Sequence, residues 1–247
     1  MKRFAALGAL QLALACSSGP ISVGDDRSSE AGLEAGAGGG AGAGGDTSIT
    51  PTVDTLLPLL EPCERISNGL LMRRAGTAKD VPVCGLRNAV YWTSQFAVDC
   101  DGKRTAICND ETDPASTDNT DGKDSQGESL DPVAVPYVEI PVPSATFDYE
   151  AAGLRMGSVV AVTYRDRLVY GVLANLQQAD VIGAGSYALA DLLGINPDPV
   201  RGGLQTKDVT YVAFTGPENV VPAAEDVAAT AALAESATAA LIAAGRD

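Results

Sequence analysis

The chain has no histidine, only one tryptophan and three methionines, and 5% aromatic residues among 247 positions. Without histidine, neither a Ser-His-Asp relay nor a Cys-His pair can be assembled. Zinc sites built on imidazole are excluded for the same reason, and the cysteine spacing fits no zinc pattern. Basic residues are scarce: 17 Lys and Arg face 32 Asp and Glu, a net charge of −15. Polyphosphates and anionic lipid surfaces are repelled by such a balance, which excludes nucleic acid as a partner. No strand precedes the one Gly-rich run, so a phosphate-cradling loop is missing too, and no cofactor is expected. The acidic balance suits a polycation, although acidic exported proteins are also common and soluble.

Met1-Lys2-Arg3 followed by Phe4 to Ala15 reads as a charged n-region and a short apolar h-region. That run is too short to span a bilayer and has the form of a signal peptide. Ala13-Leu14-Ala15 before Cys16 suits cleavage there, which makes Cys16 a candidate lipid-bearing cysteine of a bacterial envelope lipoprotein. The usual lipobox leucine is displaced by one place to Leu12, which leaves plain secretion open. Residues 17–50 are rich in Gly, Ala and Ser and cannot bury enough apolar surface to order themselves. They read as a disordered linker with a reach on the order of 30 Å, so the membrane would be met only through a lipid anchor.

Residues 51–247 have the size and apolar content of one domain. Strand-like runs dominate: Val81 to Cys84, Asn88 to Val98, Val133 to Val142 with prolines that suggest an edge or bend, and a hairpin of Gly157–Tyr164 and Leu168–Leu173. The alanine-rich Pro222–Gly245 reads as a terminal helix. Beyond Cys16, an even set of cysteines remains in an exported chain, Cys63, Cys84, Cys100 and Cys108, which favours two disulfides. Three connectivities are open; sequential pairing, Cys63–Cys84 and Cys100–Cys108, closes the smallest loops. Between Asp99 and Asp131 ten carboxylates face three bases. Two calcium-loop registers can be drawn through this segment, but each lacks required ligands, so no metal is expected and a solvated acidic loop is the reading.

Tyr170 to Gly216 reads as strand, loop, Gly-Ser turn, short helix, loop and strand. Ser186 is an N-cap for a helix through Leu193, Gly194 its left-handed stop, and Asp208–Phe214 the closing strand. Tyr170-Gly171-Val172, Ile182-Gly183, Gly185-Ser186, Ala188-Leu189-Ala190 and Val209-Thr210-Tyr211-Val212 with Phe214 match a known pattern. On these residues the chain resembles glycoside hydrolase family 75, the chitosanases. Asp99-Cys100-Asp101-Gly102, Ser125-Gln126-Gly127 and Pro136-Tyr137-Val138 extend the resemblance to residues 81–216.

The resemblance implies a mainly β fold: a six-stranded double-psi-like β-barrel with short helices, similar to expansins and family 45 endoglucanases, preceded by the signal peptide and Gly/Ala-rich linker. It also implies that the family's two essential carboxylates fall on Asn175 and Ala184. The two leading acids of the family's aspartate-rich strand fall on Gln95 and Ala97. Inverting hydrolysis needs one carboxylic acid for the leaving oxygen and one carboxylate for water. An amide is a very poor base and Ala184 donates nothing, so the frame is present without the acids. The preferred expectation is a degenerate chitosanase-family domain that binds chitosan or another amino-sugar polymer, or serves as a surface interaction protein, through Asp99, Asp101, Asn175 and Asp180. The alternative is an active endo-chitosanase with displaced acids such as Asp180, Asp99 or Asp101; a purely structural envelope lipoprotein is a third.

Overall fold

A computed structural model describes residues 49–245. The expected leader with Cys16, and the linker up to residue 48, lie outside the described residues. Thr52 opens the first ordered element: its hydroxyl accepts from the Thr55 amide and caps the short helix α1, Val53–Leu56. Two small antiparallel pairings follow, built from β1 (Glu64–Arg65), β2 (Leu71–Met72), β3 (Lys79–Val81) and β4 (Cys84–Leu86). The continuous strand expected over Val81 to Cys84 is therefore two strands. Pro82 lacks an N–H and separates them, so β3 joins β2 while β4 joins β1 and the next strand.

Six strands then form the body: β5 (Ala89–Asp99), β6 (Tyr137–Pro141), β7 (Val159–Tyr164), β8 (Arg167–Gln177), β9 (Ala184–Ser186) and β10 (Leu204–Phe214). Their order is β5, β10, β7, β8, β6, β9, and β9 returns to pair with β5, so the ring is closed. Most neighbours are antiparallel, but β6–β8 and β5–β9 are parallel. Pro136 and Pro141 do not place β6 at an edge. They flank it and end it, while the strand between them pairs with β8 on one side and β9 on the other, and every residue is buried. Closure demands close backbone approach. At Gly185 a Cβ would stand 2.6 Å from the Tyr137 carbonyl oxygen, and at Gly183 (φ 116°) 2.5 Å from Ser94 Oγ.

The strands bury both faces, which is why β7 reads VVAVTY with no polar alternation. One face carries Trp92, Phe96, Val138, Val162 and Leu173, with Tyr211 stacked on Trp92 at 5.2 Å between ring centroids. Tyr91, Val159, Val172 and Val212 lie on the other, against Ala234 and Leu241 of the terminal helix α3, Val227–Ala244. Between β9 and β10 the helix α2 (Tyr187–Leu193) is capped by Ser186 and stopped by Gly194 at φ 70°. Two disulfides, Cys63–Cys84 and Cys100–Cys108, pair the cysteines in sequence order.

Candidate functional site

Strand register brings the site together. In the parallel pair β6–β8, Glu139 stands opposite Asn175, and in β5–β9, Asp99 stands opposite Ser186 and Ala97 opposite Ala184. Asp101 follows Cys100, whose disulfide to Cys108 pins the chain just beyond β5. The Asp101 carboxylate accepts the Thr117 amide, and its backbone carbonyl accepts the Tyr137 hydroxyl at 2.7 Å. As a result, oxygens of Asp99, Asp101 and Glu139 lie within 4.8 Å of one another.

Asn175 sits beneath these three acids, 2% exposed. Its Nδ2 donates to Glu139 Oε1 at 2.9 Å, Asp101 Oδ2 at 3.0 Å and Asp99 Oδ2 at 3.3 Å, while its Oδ1 accepts the Asp121 amide at 3.2 Å. Gln177 Nε2 donates to the other oxygen of Glu139. One amide with two hydrogens therefore serves three carboxylates, and acceptor capacity is left over. Like charges at about 4 Å oppose each other by about 4 kcal/mol even at an effective dielectric constant of about 20. Burial, then the neighbouring Asp99 charge, pushes Glu139 well above the usual carboxylate range, although Asn175 and Gln177 pull against it. Burial also raises Asp99, with the Asp101 charge adding to it and the hydrogen bond from Glu139 opposing it.

Above the acids is a cleft of about 450 Å³, lined by Asp99, Asp101, Glu139, Gln95, Gln177 and Ala184 among others. Of the residues singled out from sequence, Asp99, Asp101 and Ala184 thus line one cleft, with Asn175 under it. Asp180 is elsewhere in its contacts: its carboxylate accepts from Lys79 Nζ at 2.8 Å and Ser144 Oγ at 2.7 Å, and its backbone carbonyl accepts the Met72 amide. Lys79 and Ser144 hold it below the usual range, as suits a carboxylate that ties loops together. Glu139 escaped the sequence reading, as did Gln177. The available sign was that Glu139 is the lone charge in Val133–Val142, and an acid inside an apolar strand is costly to bury without partners.

Of the remaining acids of residues 110–131, Asp113, Asp124 and Asp131 serve the backbone of their own loop. Asp124 accepts the amides of Gln126 and Glu128 and pairs with Lys103, and Asp131 accepts the Val133 amide. Asp121 instead reaches the barrel, accepting the Leu176 amide at 3.0 Å.

A family model described as fungal chitosanase of glycosyl hydrolase group 75 matches residues 96–246. Two endo-chitosanases of Aspergillus oryzae, one of them from strain ATCC 42149 / RIB 40, are each 30% identical over 161 residues, covering 58% of this chain. The chain spans 66% of the length of those relatives.

Proposed function

The chain belongs to the glycosyl hydrolase group 75 chitosanases, and on that premise we propose that it is an exported member whose cleft holds an amino-sugar polymer without cleaving it. The observation that carries this reading is the Asn175 amide at the centre of three carboxylates. Asn175 and Ala184 fall on the two places that hydrolysis in this family needs as acids. Each missing general acid or base removes about a hundred- to ten-thousand-fold in rate. Nor do the acids present restore the inverting arrangement. With oxygens within 4.8 Å, they leave no room between them for the water that inversion seats between carboxyl groups about 6.5–9.5 Å apart. The same crowding suits an ammonium group, which brings hydrogens to the spare acceptors and offsets the mutual repulsion of the acids. Chitosan offers such a group on every deacetylated sugar. The barrel is read as double-psi, on the support of its two parallel pairs, β5–β9 and β6–β8, within an otherwise antiparallel ring.

A second reading has its own observation. Glu139 is buried, raised and faces the cleft beside ionisable neighbours, which are the attributes of a general acid. In that reading Glu139 would protonate the leaving oxygen and Asp101 would activate water. Reducing-end release from soluble chitosan separates the two, with the full chain run beside the double variant Asn175→Asp/Ala184→Glu and beside Glu139→Gln. The expected result is no release by the natural chain, saturable chitosan binding, and release by the double variant. Release by the natural chain that disappears in Glu139→Gln would overturn the binding-only reading in favour of the second.

A further inference from the structure

A second cavity of about 680 Å³ adjoins the carboxylate cleft. Pro199 lines both. The loop after Cys108 likewise gives Glu111 and Thr112 to the second cavity and Asp113, Ala115 and Ser116 to the first. The two cavities are thus neighbours with different linings, and they are read here as compartments of one groove. The first is carboxylate-rich, whereas the second has Tyr187, Ile107 and Val200 with Asn196, Glu111, Asp198 and Arg201 beside them.

Tyr187 is the first residue of α2, directly after Ser186, which pairs with Asp99. Its backbone therefore stands one residue from the row of acids, and its side chain lines the second cavity. The hydroxyl makes no hydrogen bond to another described residue. Ile107 and Val200 are 41% and 66% exposed, among the few large apolar side chains left in solvent. Both stand on braced loops. Cys100–Cys108 fixes the first, and the Asp198 carboxylate fixes the second by accepting the Val200 and Arg201 amides at 2.9 and 2.8 Å. Such bracing lowers the ordering cost of a ligand that docks there.

We propose that this compartment is a saccharide subsite that seats sugar units of the same polymer next to the unit whose amine meets Asp99, Asp101 and Glu139. A pyranose ring has one flat apolar face and a rim of hydroxyls. Tyr187 supplies an aromatic platform for the face, Ile107 and Val200 extend it, and Asn196, Glu111 and Arg201 meet the rim. Glu111, Asp198 and Arg201 bring both signs of charge to this lining, so the contact that sets it apart from the first compartment is to ring faces and hydroxyls. The subsite rests on the binding reading above, and its signature is dependence on chain length.

Calorimetric titration of the full chain with glucosamine and with its hexamer tests it. The hexamer should bind more tightly than the single sugar. Tyr187→Ala should lose about tenfold on the hexamer and leave the single sugar unchanged, whereas Tyr187→Phe, which keeps the ring, should match the natural protein. Val200→Ser, at an exposed position, gives a second and smaller hexamer-specific loss that does not depend on refolding around Tyr187. Asp101→Asn should weaken both ligands alike. Equal affinity for the two lengths, or a hexamer affinity untouched by both Tyr187→Ala and Val200→Ser, overturns the subsite while leaving the carboxylate site standing. No affinity for either ligand overturns both.

Discussion

Glu139 ties the chemistry of the cleft to the stability of the fold. Its carboxyl is raised in the folded protein by burial and by the Asp99 charge. A folded state that holds a proton more firmly than the unfolded chain is favoured at low pH. Its contribution is complete below the ordinary glutamate range and is lost as pH rises through the folded value. Asp99, raised for the same first cause, adds in the same direction. Replacing Glu139 by Gln removes the buried charge while keeping the shape. The expected outcome is a melting temperature several degrees above that of the natural chain near pH 8, with the gap closing near pH 4, read by circular dichroism. A gap that is constant across pH would show that Glu139 does not titrate between those limits. This residue also marks where sequence reading stops. Asp99 and Asp101 belong to a contiguous motif and could be named from it. Glu139 meets Asn175 across 36 residues of chain, and only the parallel register of β6 against β8 brings them together.

At the level of elements, the segment from β9 into α2 carries more than its length suggests. Ser186 Oγ accepts the Leu189 amide as the helix cap and the Tyr137 amide at the start of β6, and donates to the Val135 carbonyl at 2.8 Å. One hydroxyl thus joins the helix to two neighbouring stretches of chain. Ser186→Ala should cost about 2–4 kcal/mol, the sum of a lost cap and buried backbone groups left unpaired, measured by urea denaturation. A loss under about 1 kcal/mol would show that water or a shifted backbone takes over these bonds. The cap and the Gly194 stop were legible because both are local, encoded within a turn of the helix. The hairpin of β7 and β8 was legible for the same reason. The central place of β6 was not: Pro136 and Pro141 have the same signature on a strand's flanks as on an exposed edge, and only closure of the ring distinguishes them. The split at Pro82 could have been anticipated, since a residue without an N–H inside an apolar run already argues for a break.

At the level of the whole molecule, the ring closes through the short β9, and the disulfides secure what lies outside it. Cys63–Cys84 and Cys100–Cys108 close intervals of 21 and 8 residues, worth about 3 kcal/mol each if unfolded-chain entropy dominates. Full reduction should therefore lower the denaturation midpoint markedly, and a midpoint unchanged after reduction would place the stability in the barrel alone. The sequential pairing was readable from the cysteine spacing, because small loops close most readily. Such a titration can be followed without any added label. The sole tryptophan, Trp92, is fully buried and stacked on Tyr211, and it is absent from both compartments of the groove. Its emission is a gauge of barrel integrity that is blind to sugar: it shifts to the red when the ring opens and keeps its colour when the groove fills. Unfolding and binding can thus be watched in one sample on separate channels.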